Sequence, residues 1–144
     1  MSRLNTPRSA SAAVAVTALL LLGGCALFQP GLVNCPGTCS IDLDFPADPG
    51  RPPETPNPYV RVDAGKQLEF RSSQDAIVVF PKDTPFVDGS GDLIYWFKFT
   101  GSTTLTVRND RSTACVYGNG CKYMVIDAAN EDRPVLDPYI IIDR

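Results

Sequence analysis

Residues 59–80 have the sequence YVRVDAGKQLEFRSSQDAIVVF, and this stretch decides the fold class. Apolar and polar side chains alternate on both sides of the turn sequence Asp63-Ala64-Gly65, which predicts two strands that each bury one face. Residues 76–80 are apolar without interruption, which predicts a strand covered on both faces. A 3.6-residue apolar period is not sustained here, so the pattern favours strands over helices.

The same kind of pattern recurs on both sides of this stretch. The predicted strands are 41–45, 59–62, 67–71, 76–80, 93–99, 103–108, 122–127 and 139–143. Short strands separated by frequent turn signals are typical of an all-β domain, and we expect an antiparallel two-sheet Greek-key sandwich over residues 41–144. Residues 46–58 contain six prolines and predict either a stiff connection or a ligand for a proline-binding domain.

Composition excludes several classes of function. The 144 residues include 13 basic and 16 acidic side chains, a formal net charge of −3, which offers no basic field for nucleic acid. Histidine is absent, so the chain lacks the commonest general base and the most frequent metal ligand. We therefore expect no catalytic triad and no cofactor, and we predict that the protein is not an enzyme.

The N-terminal part has the pattern of an export signal. Arg3 and Arg8 precede an uncharged apolar stretch at residues 10–22, which is shorter than the roughly 20 residues of a membrane-spanning helix. The sequence Leu22-Gly23-Gly24-Cys25 follows directly. It resembles the lipobox of bacterial lipoproteins, which implies removal of residues 1–24 as a signal peptide and attachment of acyl chains such as palmitate to Cys25.

This resemblance implies a location at the membrane. Residues 25–40 would form the lipidated N-terminus and a tether, and two or three acyl chains would hold the protein on the membrane. Ala26 after the cysteine favours the outer membrane by the sorting rule of enteric bacteria, with the domain facing the periplasm or the cell surface. The alternatives are an ordinary secretory signal and an uncleaved anchor.

Four further cysteines remain for the exported domain: Cys35, Cys39, Cys115 and Cys121. An even number in an oxidising compartment predicts two disulfides, and the Pro-Gly and Gly-Asn-Gly turns between the cysteines favour the two local pairings. Such short bridges would staple loops without holding the fold together, at about 2 kcal/mol each. A zinc site is disfavoured because neither pair has two-residue spacing.

Two segments carry a resemblance in the all-β region. The order of two short sequences resembles that in exported members of the cupredoxin-like sandwiches. They are VDAGK at residues 62–66, directly before a predicted strand, and KYMVI at residues 122–126 near the end of the chain. That family would imply a copper centre, but such a centre needs two imidazoles and this chain has none, so a metal-free sandwich is expected. Immunoglobulin-like and transthyretin-like sandwiches are alternatives, the latter found in a lipoprotein subunit of type VI secretion machines.

A few residues are candidates for functional sites. The loop at residues 88–92 has two aspartates but lacks the further oxygen ligands of a calcium loop, and no base is present to activate Ser90. Asp42 and Asp44 share one strand face, where an acid–base pair would need burial or a pocket. If Tyr95, Phe97 and Phe99 face inward, Trp96 faces outward, where it forms a partner surface unless a loop covers it.

The sequence therefore predicts a lipid-anchored, non-catalytic binding or structural module of the cell envelope. A subunit of a secretion or assembly machine is the first alternative, and an enzyme that uses only carboxylates on a glycan is the second. A ligand carrier, which would have an apolar cavity between the sheets, is the third. The expected partners are the membrane, through Cys25, and an envelope protein.

Overall fold

A computed structural model describes residues 32–110, 115 and 120–143. All regular structure in this part is β-strand, as the sequence predicts. The strands are β1 (Leu32–Cys35), β2 (Cys39–Leu43), β3 (Tyr59–Asp63), β4 (Gln67–Val79), β5 (Phe86–Val87), β6 (Trp96–Val107), β7 (Cys121–Lys122), β8 (Met124–Asp127) and β9 (Tyr139–Asp143).

The strands form two sheets, an arrangement consistent with a β-sandwich. The first has the order β1-β3-β9-β7, and the second has the order β2-β4-β6-β5, with β8 also paired to β4. The sheets are mixed rather than antiparallel as expected, since β1, β3 and β9 are parallel to one another and β2 is parallel to β4. The chain changes sheet after each of β1, β2 and β3. As a result β1 lies beside β3 in one sheet and β2 lies beside β4 in the other, and both pairs are parallel.

Strands β4 and β6 form one long ribbon, where the sequence predicts four shorter strands. Pairing passes from Ser72 opposite Gly101 to Ala76 opposite Phe99, so three residues of β4 face one of β6. This bulge absorbs the polar segment that we expected to end a strand, and Gly101 accommodates it with a positive φ of 78°. Both strands continue through the irregularity instead of ending there.

Strand structure begins at Leu32, within the stretch expected to be a tether. β1 pairs with β3 along its whole length, and Cys35 at its end is buried in the core. The disulfide Cys35–Cys39 is formed, and because it joins β1 in the first sheet to β2 in the second, it bridges the sheets. The predicted pairing is confirmed, and the bridge lies where the chain crosses between the sheets rather than within one sheet.

The core is built from the inward faces of both sheets. Val60, Val62 and Ile140 of the first sheet pack in one cluster with Leu68 and Phe70 of the second. Phe70 lies at its centre, with ring centroids 5.2 Å from Phe97, 5.9 Å from Phe86 and 6.0 Å from Tyr123. These mutual edge-to-face contacts fix which face of β4 and β6 points inward.

The proline-rich segment is a pinned connection. Nη1 of the buried Arg133 donates to the carbonyl oxygens of Pro46, Asp48 and Arg51 at 3.0, 3.2 and 3.0 Å. Nε of Arg133 lies 2.9 Å from a carboxylate oxygen of the buried Asp127, which balances the charge. Three backbone carbonyl groups of the segment thereby accept hydrogen bonds from one buried guanidinium, and the Asp48 carbonyl also accepts one from the Arg51 amide. These contacts hold the segment against the domain, as expected of a stiff connection.

Candidate interaction surface

An apolar area surrounds Trp96 on the outer face of the second sheet. Val79 of β4 is paired with Trp96 of β6 on one side and with Met124 of β8 on the other. Residues directly opposite each other in antiparallel strands point to the same face, so these three side chains form a row. Trp96 is 65% exposed, and Val79 and Met124 are half-buried.

A second row lies beside the first. Ile77 is paired with Ile126 of β8 and with Lys98 of β6, and both isoleucines are half-buried. Their sequence neighbours Ala76, Val78 and Val125 are buried and face the core, which confirms the alternation. We call the five outward side chains Ile77, Val79, Trp96, Met124 and Ile126 the apolar sheet face.

A polar pair borders the apolar sheet face at the bulge. Lys98 Nζ lies 3.1 Å from an oxygen of Asp75, and the Thr100 hydroxyl donates a hydrogen bond to the same carboxylate. The hydrogen bond from Thr100 and the interaction with Lys98 both lower the pKa of Asp75. The positive charge of Lys98 is thus balanced locally, and the surface next to it is neutral.

The side chains around Trp96 follow the sequence prediction only in part. Phe97 and Phe99 point inward as predicted, whereas Tyr95 precedes the strand and is 44% exposed. Trp96 is exposed rather than covered by any loop in the described part of the chain. The sequence did not predict that Met124 and Ile126 belong to this surface. The unbroken apolar runs at residues 76–80 and 123–126 were the available signal, because they make both faces of these strands apolar.

A second candidate is an open groove of about 500 Å³ beside the bulge, lined in part by Asp42, Glu69, Arg71 and Ser102. Arg71 donates a hydrogen bond of 2.6 Å to Glu69. This hydrogen bond lowers the pKa of Glu69, the opposite of what a general acid needs near neutral pH. Asp42 and Asp44 are both exposed, and the backbone of Asp44 is paired with Glu54.

The second cysteine pair lies beside a carboxylate. The Cys115–Cys121 disulfide is formed, as predicted, and ligand atoms of Asp83 and both cysteines lie within 4.8 Å of one another. The sulfurs are bonded to each other, and Asp83 accepts hydrogen bonds from Arg108 at 3.0 Å and from the Thr84 amide at 2.9 Å. A thiolate metal site here would require reduction of the bridge.

The loop at residues 88–92 forms a closed turn. One oxygen of Asp88 accepts hydrogen bonds from the amides of Ser90 and Asp92 at 2.8 and 2.9 Å. The Gly91 amide donates to the Asp88 carbonyl, and Gly91 has a positive φ of 89°. The carboxylate therefore has a structural role of the kind typical of aspartate turns.

The lipobox and Cys25 lie outside the described residues, as does the apolar stretch that precedes them. Within residues 32–110, 115 and 120–143, no helix is long and apolar enough to cross a membrane. No protein-family model matches the chain, and no curated protein matches it.

Proposed function

We propose that the protein is a lipid-anchored module of the cell envelope that acts through a non-catalytic binding surface. The observation that carries this proposal is the apolar sheet face, where a 65% exposed tryptophan stands in a row with aliphatic side chains. Exposed aromatic side chains surrounded by apolar neighbours are the usual anchors of binding surfaces. The surface lies on a sheet rather than on a loop, so its side chains are held in place before binding.

The anchor in this proposal is Cys25, and it rests on the Leu22-Gly23-Gly24-Cys25 motif after the apolar stretch. Both described disulfides support export, because such bridges persist in oxidising compartments. We place the domain on the periplasmic side of the outer membrane or on the cell surface. For its connectivity we propose a metal-free Greek-key sandwich of cupredoxin-like or immunoglobulin-like type.

The carboxylate-only enzyme is the less favoured alternative. The groove near Asp42 and Glu69 is open, and Glu69 is held in its charged form by Arg71. Glycoside hydrolysis needs one carboxylic acid that keeps its proton. The arrangement in this groove supports a solvated ion pair instead.

The anchor is tested by the intact mass of the protein extracted from membranes. We expect removal of residues 1–24, the added mass of two or three acyl chains, and the loss of four hydrogens for two disulfides. A Cys25→Ser variant should appear in the soluble fraction, whereas the matched Ser11→Ala variant, which leaves the motif intact, should remain in the membrane. A membrane-bound Cys25→Ser protein with its leader intact would show that the apolar stretch is the anchor.

The binding role is tested with a photo-crosslinking residue at position 96 and a control at Thr104. Thr104 is exposed on the outer face of the same strand, opposite Glu69 in the polar half of the sheet. Crosslinks at 96 and not at 104 are expected. The alternative of a secretion or assembly subunit predicts that position 96 captures a component of one large complex, and equal labelling at both positions would contradict a specific surface.

A further inference from the structure

We infer that the apolar sheet face binds the lipid bilayer itself, so that the body lies on the membrane instead of hanging from its tether. This inference rests on the proposed function, because it takes the acyl anchor at Cys25 as given. It goes further by naming the partner of the surface as lipid. Three features support it: the composition of the surface, its size and the length of the tether.

The composition matches the membrane interface. Tryptophan and tyrosine are the side chains enriched at the level of the lipid headgroups, and aliphatic side chains enter the acyl boundary. Trp96 supplies the aromatic ring, and Tyr95 next to it in the chain is 44% exposed.

The size of the surface argues against a second copy of the chain as its main occupant. A stable protein interface buries about 800 Å² on each partner and involves roughly 20 residues. The apolar sheet face has five side chains, four of them already half-buried. An area this small gives weak binding alone, but it is enough to orient a protein that other contacts already hold at the membrane.

The tether keeps the body close to the bilayer. Six residues, 26–31, lie between the acylated Cys25 and Leu32, where β1 begins, which makes seven Cα–Cα steps. They span at most about 25 Å when fully extended. A domain of this size is roughly 35 Å across, so the body cannot move more than about its own diameter from the lipid. The effective concentration of membrane at the apolar sheet face is therefore high.

Charge has little part in this binding. Removal of Arg3 and Arg8 with the leader would take the formal net charge from −3 to −5, so an anionic leaflet would repel the body. Lys98 is paired with Asp75, which leaves no uncompensated positive charge from this residue at the border. We therefore expect binding to uncharged phosphatidylcholine membranes and little dependence on ionic strength.

The test uses the acylated protein in phosphatidylcholine vesicles. Trp96 is the only tryptophan of the chain, so indole fluorescence reports on this surface alone. Vesicles whose acyl chains carry bromine quench an indole that lies within them. We expect strong quenching of Trp96 and a shift of its emission to shorter wavelength relative to the protein in solution.

The matched control moves the indole from position 96 to position 104 on the same outer face of β6. A Trp96→Phe/Thr104→Trp double variant keeps the surface apolar and places the reporter on the exposed polar half of β6. Its indole should stay unquenched on the same brominated vesicles. In a second arm, the acyl-free Cys25→Ser protein without residues 1–24 should bind vesicles weakly. A further Trp96→Ser change should lower its partition coefficient about tenfold, the size expected for one aromatic side chain.

The possible outcomes distinguish a failure of the proposed anchor at Cys25 from a failure of membrane binding by the apolar sheet face. Vesicle-bound protein with an unquenched Trp96 overturns this inference and leaves the anchor standing. Protein that does not bind vesicles, and whose mass shows no acyl chains, overturns the proposed anchor and the present inference with it. An emission shift that grows with protein concentration in the absence of vesicles assigns the surface to a second copy and also overturns the inference.

Discussion

At the scale of single residues, Tyr123 places a polar hydroxyl group in the apolar core. Its side chain is fully buried between Phe70 and Phe80, and its hydroxyl has no hydrogen-bond partner among the described residues. A buried hydroxyl without a partner costs about 1–3 kcal/mol. We predict that Tyr123→Phe leaves the free energy of unfolding unchanged or raises it by about 1 kcal/mol, measured by urea denaturation. A loss of stability would instead reveal a partner for the hydroxyl.

Tyr123 should also affect how the free energy of unfolding depends on pH. Burial raises the pKa of Tyr123 above its ordinary value, because the charged phenolate is not solvated in the core. Because the pKa is raised in the folded state, the folded protein keeps its full free energy of unfolding below about pH 10. It loses stability as the pH rises above that value, where the unfolded chain ionises first. The free energy of unfolding should fall more steeply above pH 10 in the wild type than in Tyr123→Phe. Parallel pH profiles of the two proteins would contradict this assignment.

At the scale of elements, the bulge in the β4–β6 ribbon depends on Gly101. A Cβ at this position would meet no atom within 4 Å, so only the positive φ of 78° opposes a larger side chain. We predict that Gly101→Ala lowers the free energy of unfolding by about 1–2 kcal/mol, the cost of a left-handed backbone for an L-residue. Gly89 is the control, because it has equal space and no positive φ, and Gly89→Ala should cost nothing. Equal effects would show that the bulge can shift.

The local sequence pattern predicted where the strands lie better than it predicted which strands pair and in which direction. Alternation located β3, and an apolar run located β9. Alternation also predicted that Trp96 faces opposite to Phe97, because successive side chains of a strand point to opposite faces. Alternation carries no information about strand direction, so the parallel pairs were missed. The row of Val79, Trp96 and Met124 was missed for a related reason, since it depends on pairings between segments distant in sequence.

At the scale of the whole molecule, the Cys35–Cys39 bridge combines a short loop with a long-range effect. It encloses a sequence separation of only 4, yet it joins the two sheets where the chain passes between them. In the chain-entropy model the loop length sets the stabilisation, which is about 2 kcal/mol, whereas a bridge between distant segments such as Cys39 and Cys115 would give about 4–5 kcal/mol. The stability lost on its removal therefore reports which cysteines are paired.

We predict that the Cys35→Ala/Cys39→Ala double variant remains folded and loses about 2 kcal/mol of unfolding free energy, with further loss from the gap that the buried Cys35 sulfur leaves. Urea denaturation measures the loss, and the single Cys39→Ala variant is the matched control because it also opens the bridge but keeps the buried sulfur. The single variant should lie between the wild type and the double variant. If the two sheets separate without the bridge, the denaturant slope will change and two transitions will appear, which would show that this one local crosslink holds the sheets together.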